Sequence, residues 1–369
     1  MKYLSWAELA AYRARVRGCL LGGAIGDALG NPIEMKSMVT VEAQYGEVGI
    51  TGLVPDRNGM VGTITDDTQM TLFTAEGWLR GYTRIMTDGG GTETALVHEA
   101  YLRWLDTQQS DAPQPELSSP HRTGWLREEP WLYARRAPGR ACEFGIPKNH
   151  IPDPRGAIDG TPGPVNPDAK GCGSVMRSAP FGLTDASPQY AFELAARCAQ
   201  MTHGHPTSYY ASGAFAAMIS HLVTGESLQD AVRLSMGLLA RYPGHEETTT
   251  MLRRAVELAA AGPATPVTVE SLGGGWIAEE ALAIAVYAAL ARTEFWKDHT
   301  PIESALLLSV NHSGDSDSTG AICGNLLGAR HGDGLLPQQW LEQIEGRAQI
   351  AMLADDFAAA VCPGEQRPS

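Results

Sequence analysis

Apolar residues recur three and four positions apart along most of this 369-residue chain, and Val, Ile and Thr form no sustained alternating runs. Half-buried strands need alternation, whereas a spacing of three and four residues places apolar side chains on one face of a helix. We therefore predict a mostly or wholly α-helical fold. The predicted helices are 9–29, 68–79, 92–105, 190–201, 207–223, 228–239, 248–261, 278–291, 301–310 and 319–329.

The charge balance argues against a nucleic-acid partner. The chain has 28 Lys and Arg residues against 42 Asp and Glu residues, a formal net charge of −14 at pH 7. A nucleic-acid-binding surface needs Lys and Arg to neutralise phosphates, so we expect none here. With 43% hydrophobic and 19% charged residues, the composition is sufficient for a packed core and too apolar for intrinsic disorder.

The sequence predicts neither a targeting segment nor a membrane span. The first residues mix acidic and basic side chains, and the most apolar later stretch, 281–291, is far shorter than the ~20 residues that a bilayer crossing needs. The six cysteines are scattered without a C-x-x-C pair, which disfavours a zinc site and a disulfide framework. We expect a soluble, cytoplasmic protein that does not associate with membranes.

The segment from about 106 to 168 differs from the rest of the chain because it is rich in Pro and Gly. Irregular segments of this length are usually either functional or mobile. Because helices flank it on both sides, we interpret residues 1–369 as one domain that carries an irregular loop insertion. Its residues Arg135, Arg136 and Arg140 are candidates for holding a protein target or a diphosphate, although a solvated loop is the simpler interpretation.

A first acidic motif lies in the string GTITDDTQM at 62–70. It places a hydroxyl and two adjacent carboxylates, those of Thr65, Asp66 and Asp67, at the start of a predicted helix. Adjacent carboxylates repel each other unless a cation holds them, and hard oxygen ligands are those that Mg²⁺ or Mn²⁺ prefers. Taken alone, the motif is explained more simply as an N-cap with a spare surface Asp, because Asp is favoured at helix starts.

A second acidic motif lies in the string NHSGDSDSTGAICGN. Here Asp315, Asp317 and Ser318 stand in a Gly-flanked turn before another predicted helix. Two carboxylates and a hydroxyl in such a short loop can converge on one cation, and a plain turn with a helix cap is an equal alternative. Two such clusters in one helical chain favour the metal interpretation, because together they could hold two cations ~3.5–4 Å apart, as in two-metal hydrolases.

A third candidate site residue is Glu34, which follows the apolar helix CLLGGAIGDALG. That helix breaks at Gly30 and Pro32, which leaves Glu34 on a loop. An exposed carboxylate without a role is the alternative. We expect Gly22 and Gly26 in the same helix, with their neighbour Gly23, to serve close helix packing rather than phosphate binding.

A fourth segment, KGCGSVMR at 170–177, is a glycine-rich loop. Its backbone N–H groups and its hydroxyl could cradle phosphate oxygens, although short glycine turns are common. The string MTHGHP further along contains His203 and His205. Because no third His or Cys stands at a matching spacing, we favour one of these as a polar contact in a cleft and the other as a surface residue over a zinc site.

Taken together, these strings resemble the ADP-ribosylglycohydrolase family, typified by the dinitrogenase-reductase-activating glycohydrolase and the ADP-ribosyl-arginine hydrolases. They follow the order of the family and span residues 17 to about 330. The resemblance implies a compact single-domain orthogonal helical bundle. The matching strings are RGCLLGGAIGDALGNPIE (17–34), GTITDDTQMTLF (62–73), KGCGSVMRSAPFGL (170–183), MTHGHPTSYYASGAFAAMI (201–219), LGGGWIAEEALAIAVYA (272–288) and NHSGDSDSTGAICGNLLGA (311–329).

The resemblance also implies roles for individual positions. The implied cofactors are two Mg²⁺ or Mn²⁺ ions, and Glu34 matches the loop Glu of the same site in the family. Relatives more often have Thr at position 318, and Ser keeps the hydroxyl. The implied metal ligands are Thr65, Asp66, Asp67, Asp315, Asp317 and Ser318. The implied substrate-binding residues are Gly171, Cys172, Gly173, Ser174 and His203.

The reaction implied by the resemblance is hydrolysis of the N-glycosidic bond of mono-ADP-ribosylated arginine, which releases ADP-ribose. Two cations would hold the ribose 2- and 3-hydroxyls and lower the pKa of a water. Positive charge develops at the anomeric carbon as the bond breaks, and a carboxylate of Asp66, Asp67 or Glu34 can stabilise it and accept the water's proton. We expect Glu34 to position the substrate or leaving group, while the identity of the base stays open.

Two alternatives remain at this point. One is cleavage of another ADP-ribosyl linkage, to serine, a nucleobase or a small acceptor. The other is a non-catalytic ADP-ribose-binding protein, which the presence of all the candidate ligands disfavours. In each case the partner is the ADP-ribose moiety of a modified protein or small molecule. Trp104, Tyr209, Tyr210 and Trp276 are candidates for stacking on adenine, and core packing is the favoured interpretation for each.

Overall fold

The computed structural model describes residues 5–88, 90–113 and 123–362, and these ranges contain helices but no strand. The β-type pairing found there is a single antiparallel bridge between Gly171 and Ile277. The all-α prediction is confirmed. The helices are α1 (Trp6–Gly30), α2 (Met38–Tyr45), α3 (Asp66–Asp88), α4 (Glu93–Gln109), α5 (Arg140–Gly145), α6 (Ala179–Gly182), α7 (Pro188–Ala199), α8 (Pro206–Val223), α9 (Leu228–Leu239), α10 (Glu246–Ala261), α11 (Pro266–Glu270), α12 (Ala278–Leu290), α13 (Pro301–Val310), α14 (Ser316–His331), α15 (Gln338–Leu341) and α16 (Arg347–Val361).

Polar side chains fix the starts of several helices. Ser5 and Glu8 form a capping box at the start of α1, and Thr300 and Glu303 form another at the start of α13. Asp315 caps α14, because its carboxylate accepts a hydrogen bond from the backbone N–H of Ser318. Such caps satisfy N–H groups that have no partner inside the helix.

The centre of the fold consists of helices that are buried on nearly every face. Every residue of α8 from Thr207 to Ser220 is buried, and so are the residues of α12 from Ala281 to Ala288. A helix without a polar face can only be stable inside a core. In the described ranges, no helix combines the length and the apolar composition needed to cross a bilayer.

Helices α1 and α14 are antiparallel and touch backbone to backbone through glycines spaced four residues apart. A Cβ atom added to Gly26 would lie 1.9 Å from the carbonyl oxygen of Gly320, and one added to Gly22 would lie 2.4 Å from that of Gly324. No side chain larger than hydrogen fits at these positions. The structural role predicted for Gly22, Gly23 and Gly26 is confirmed, and the contact brings the end of α1 beside the start of α14.

The structure differs from the predicted helices mainly at their ends and in the helices that the prediction omitted. The predicted bounds 228–239 and 301–310 are correct to the residue, but α3 extends far beyond position 79. Helix α4 continues to Gln109, into the segment interpreted as an insertion from about 106. Six helices were not predicted, namely α2, α5, α6, α11, α15 and α16, although α16 has apolar residues at helical spacing.

Residues 123–168 of the predicted insertion contain short helical turns joined by irregular chain, and residues 114–122 of it lie outside the described ranges. Arg135 pairs with Glu143, and Arg136 pairs with Glu345 and donates to the carbonyl oxygen of Ile64, 2.7 Å away. These contacts already engage two of the three arginines considered for target binding. Arg140 is exposed.

Candidate active site

The contact between α1 and α14 brings Glu34 together with the second acidic motif. Carboxylate oxygens of Glu34, Asp315 and Asp317 all lie within 4.8 Å of one another. Asp315 and Asp317 are buried, whereas Glu34 is half-buried. Glu34 is therefore the carboxylate of this group that is nearest to solvent.

The backbone around Glu34 turns sharply. A 3₁₀ turn, Asn31–Ile33, follows α1, and Met35 then adopts a left-handed conformation with φ of 63°. The N–H of Met35 donates to the carbonyl oxygen of Gly314, 3.1 Å away. A non-glycine residue in this conformation is strained and persists only where its surroundings impose it. The turn ties Glu34 to the loop that carries Asp315.

The first acidic motif is held by Asp27, a buried residue to which the sequence analysis gave no role. Both of its carboxylate oxygens lie 3.0 Å from the N–H of Thr65. One oxygen also accepts from the N–H of Thr68 at 3.1 Å and from its hydroxyl at 2.5 Å. Asp27 thus caps the start of α3 from a neighbouring helix and fixes the segment that carries Asp66 and Asp67.

The side chains of the first motif have few hydrogen-bond partners. The N–H of Gly139, in the insertion, lies 3.4 Å from Asp66 Oδ2, and the hydroxyl of Thr65 lies 3.3 Å from Asp67 Oδ2. Asp67 Oδ1 is buried and has no partner in the described part of the protein. A buried acceptor without a partner is costly, so this oxygen is available to bind a cation.

The acidic centre carries uncompensated negative charge. Burial, followed by the charge of Asp317, raises the pKa of Asp27 to about 7 and that of Glu34 to about 8. The same two causes raise the pKa values of Asp66, Asp67 and Asp315 well above the ordinary range. Burial also raises the pKa of Asp317.

Within the described residues, none of these carboxylates forms an ion pair with Lys, Arg or His. Carboxylates that crowd together without cationic side chains form a donor set suited to divalent metal ions. The residues present therefore fit the metal interpretation of the two motifs.

The glycine-rich loop lies against the second motif. The thiol of Cys172 donates to Asp315 Oδ2 at 2.8 Å, and the hydroxyl of Ser318 contacts the same sulfur at 3.6 Å. The hydroxyl of Ser174 instead points into the core, where it bonds to the hydroxyls of Ser208 at 2.7 Å and Ser212 at 2.9 Å. Among these side chains, that of Cys172 is the one that reaches the acidic centre.

His203 lies beneath this loop, and His205 does not. A Cβ atom added to Gly173 would lie 3.2 Å from Cε1 of His203, so the imidazole is in close contact with the loop backbone. Burial, followed by the charge of Arg177, lowers the pKa of His203 to about 3, so the ring is neutral. His205 caps α8 by accepting from the N–H of Thr207.

The aromatic candidates divide into two groups. Trp104, Tyr209 and Tyr210 are buried, as core packing predicts. Trp276 is 42% exposed, so the favoured interpretation is wrong for this residue. Its carbonyl oxygen accepts from the N–H of Cys172 at 3.1 Å, which holds its backbone at the loop and leaves the indole outside the core.

The sequence and the fold of this chain are similar to those of known proteins. A sequence model described as ADP-ribosylglycohydrolase matches residues 8–367. The chain is 25% identical over 343 residues to the ADP-ribosyl-[dinitrogen reductase] glycohydrolase of Rhodospirillum rubrum, covering 91% of this chain and 92% of that protein. It is 23% identical over 346 residues to the ADP-ribosylarginine hydrolase Tri1 of Serratia proteamaculans (strain 568), covering 93% and 78%.

A solved structure described as an ADP-ribosylglycohydrolase-related protein complex is similar in fold. It superimposes with a TM-score of 0.61 at 23% sequence identity, and the match covers 95% of this chain and 99% of the other. At this identity the likeness concerns the fold alone.

Proposed function

Because the chain belongs to the ADP-ribosylglycohydrolase family and is a hydrolase of glycosyl bonds, we propose that it hydrolyses the N-glycosidic bond of mono-ADP-ribosylated arginine and releases ADP-ribose. The observation that carries the proposal is the convergence of Glu34, Asp315 and Asp317 within 4.8 Å. The substrate would be the ADP-ribose moiety of a modified protein or small molecule. The arginine linkage is supported by the similarity to the ADP-ribosylarginine hydrolase Tri1.

We propose that two Mg²⁺ or Mn²⁺ ions bind between the acidic motifs. Their proposed ligands are Thr65, Asp66, Asp67, Asp315, Asp317 and Ser318. The unpartnered Asp67 Oδ1 and the raised pKa values of the carboxyl groups support this assignment. When bound, such ions act as Lewis acids on the ribose hydroxyls and on a water.

The proposed roles in proton transfer and in contact with the leaving group fall to carboxylates of the protein. Asp66 and Asp67 are buried and accept few hydrogen bonds, so either can take the proton of the attacking water and stabilise the positive charge at the anomeric carbon. Glu34 lies nearest to solvent, where the acceptor group leaves. A guanidinium leaving group is planar and cationic, and a carboxylate is a suitable partner for it.

The loop from Gly171 to Ser174 and the ring of His203 are proposed to bind the ADP-ribose diphosphate. The loop contacts the second acidic motif through Cys172 and contacts His203 through Gly173, so it connects the acidic centre with the imidazole. Gly171 and Gly173 are only partly exposed, and hydrogen bonds to an anion are stronger where water has limited access.

One observation favours a second candidate, a linkage to a neutral acceptor such as serine. Arg57 is an exposed residue in the loop before Thr65. Burial and neighbouring carboxylates raise the pKa of Glu34, and the positive charge of Arg57 partly offsets this rise. The positive charge of Arg57 therefore acts at Glu34, where it would also repel a cationic substrate arginine. An acceptor without charge would avoid this repulsion.

Initial rates of ADP-ribose release distinguish the two candidates. Arginine-linked and serine-linked substrates are compared at saturating Mn²⁺, with Asp317→Ala as the inactive control. The proposal predicts faster release from the arginine linkage and a further gain for Arg57→Gln. Faster release from the serine linkage would replace it with the second candidate, and release from neither would contradict both.

A further inference from the structure

Arg177 is a buried cation without a carboxylate partner in the described part of the protein. It is 1% exposed, and its guanidinium lies 4.4 Å from the centre of the Tyr101 ring. Nη1 lies 3.3 Å from the sulfur of Cys142, and Nη2 donates to the hydroxyl oxygen of Thr202 at 2.6 Å. Burying a charge is costly, so an arrangement that does so without an ion pair needs another explanation.

Thr202 connects Arg177 to His203. Its Oγ1 lies 2.7 Å from Nδ1 of His203 and 3.3 Å from the carbonyl oxygen of Ala199. An arginine can only donate, so the hydroxyl oxygen accepts from Arg177 and its single proton is free for another acceptor. The positive guanidinium makes that hydroxyl a stronger donor, and 2.7 Å is the shorter contact. The hydroxyl therefore donates to Nδ1.

This direction of donation determines which nitrogen of His203 carries the proton. When Nδ1 of a neutral imidazole accepts, Nε2 carries the hydrogen. Nε2 faces the glycine-rich loop, since a Cβ atom added to Gly171 or to Gly173 would lie 3.4 Å from it. Within the described residues, Nε2 has no hydrogen-bond partner.

We propose that Arg177 acts through Thr202 as a positioning residue that holds His203 as the neutral Nε2–H tautomer, ready to donate to a diphosphate oxygen of ADP-ribose at the loop from Gly171 to Ser174. The proposal rests on the proposed function, because it takes ADP-ribose as the ligand. Arg177 is buried against the Tyr101 ring, so it acts on the ligand through Thr202 rather than by direct contact. The lowered pKa of His203 agrees with a neutral ring.

The test uses the full chain labelled with ¹⁵N-histidine. Ring nitrogens of His203 are assigned by loss of their signals in His203→Gln, and their chemical shifts report the tautomer. We expect Nδ1 without a proton, Nε2 with one, and a shift of the Nε2–H signal when ADP-ribose is added. Protonated Nδ1 in the unsubstituted chain would overturn the inference.

Two variants separate positioning from general stability. Thr202→Val should leave His203 in a mixture of both tautomers and raise the Kd for ADP-ribose about tenfold. This is the loss expected for one hydrogen bond to a charged group. Thr202→Ser should restore both. The control Thr184→Val removes another buried hydroxyl, which bonds to the carbonyl oxygen of Phe181, and should leave tautomer and Kd unchanged.

The results of these experiments distinguish failure of this inference from failure of the proposed function. An unchanged Kd in Thr202→Val overturns the inference even if ADP-ribose binds to the unsubstituted chain. Failure of the unsubstituted chain to bind ADP-ribose at all overturns both. Binding that is accompanied by the Nδ1–H tautomer overturns the inference alone.

Discussion

Asp27 fixes the position of the first acidic motif without belonging to it. Its carboxylate accepts hydrogen bonds from the backbone N–H groups of Thr65 and Thr68 and from the hydroxyl of Thr68, all at the start of α3. A buried carboxylate that accepts several hydrogen bonds fixes its donors strongly. The direction of Asp66 and Asp67 therefore depends on a side chain that belongs to α1.

Replacing Asp27 tests this dependence. Asp27→Asn keeps the size of the side chain but turns an N–H donor toward the N–H groups of α3, so the first motif should lose its orientation. We expect Mn²⁺ affinity, measured by calorimetry, to fall about 10- to 100-fold, as for other residues that orient metal ligands. The control Asp230→Asn, at a surface carboxylate bonded to Ser227 and Arg233, should bind Mn²⁺ normally. Equal affinities would contradict the positioning role.

The raised carboxyl pKa values predict how stability depends on pH in the metal-free protein. The pKa of Asp27 is about 7 and that of Glu34 about 8, against ordinary values of 3.8 and 4.5. The folded chain thus binds more protons than the unfolded chain, and its stability is lost as pH rises through the folded pKa values. The neutral, buried His203 and His312 act in the opposite direction, but below their ordinary pKa of 6.5.

In chelator, the melting temperature should therefore fall between about pH 6.5 and about pH 8.5. Saturating Mg²⁺ or Mn²⁺ should raise it more at the higher pH, because deprotonated carboxylates bind the ions. Thermal scans across this range check both effects. A metal-free melting temperature that rises with pH would show that the carboxylates are stabilised by a partner other than a metal.

Much of the candidate site was visible in the sequence because its residues lie in short strings with distinctive chemistry, such as Asp66 beside Asp67. The sequence did not show which distant residues hold these strings in position. Asp27 is 38 positions from Thr65, and a contact over that distance depends on helix packing. Likewise, Cys172 meets Asp315 across 143 positions, and nothing local in either string indicates it.

At the scale of elements, the pairing of α1 with α14 decides where the site forms. Glycines at every fourth position allow backbone contact between the two helices, and the contact places Glu34 beside Asp315. The sequence predicted close packing for the α1 glycines but could not identify the partner helix, because the spacing of glycines in one helix does not show which other helix packs against it. The partner's own glycines, Gly320 and Gly324, follow the same spacing.

A single methyl group should separate these helices. Gly26→Ala places a Cβ atom 1.9 Å from a backbone oxygen that cannot move aside, so we expect a loss of about 3 kcal/mol in the free energy of unfolding. The matched control is Gly237→Ala in α9, where a Cβ atom meets nothing within 4 Å and should raise stability by about 0.5–1 kcal/mol. Denaturant unfolding measures both, and similar effects of the two substitutions would contradict the packing argument.

At the scale of the whole molecule, we propose that the chain folds as one domain. One cluster of buried apolar residues includes members from α1 at one end of the described chain to α16 at the other. Calorimetry should then show a single transition whose calorimetric and van't Hoff enthalpies agree. Two resolved transitions would indicate separate units.

We propose that the paired acidic motifs make this chain a metal-dependent ADP-ribosyl-arginine hydrolase. The most direct measurement is the release of free ADP-ribose from a mono-ADP-ribosyl-arginine protein by chelator-treated enzyme, before and after addition of Mg²⁺ or Mn²⁺, beside Asp317→Ala. We predict release that requires the metal and is lost in the variant. Equal release in chelator, or full activity of Asp317→Ala, would contradict this proposal.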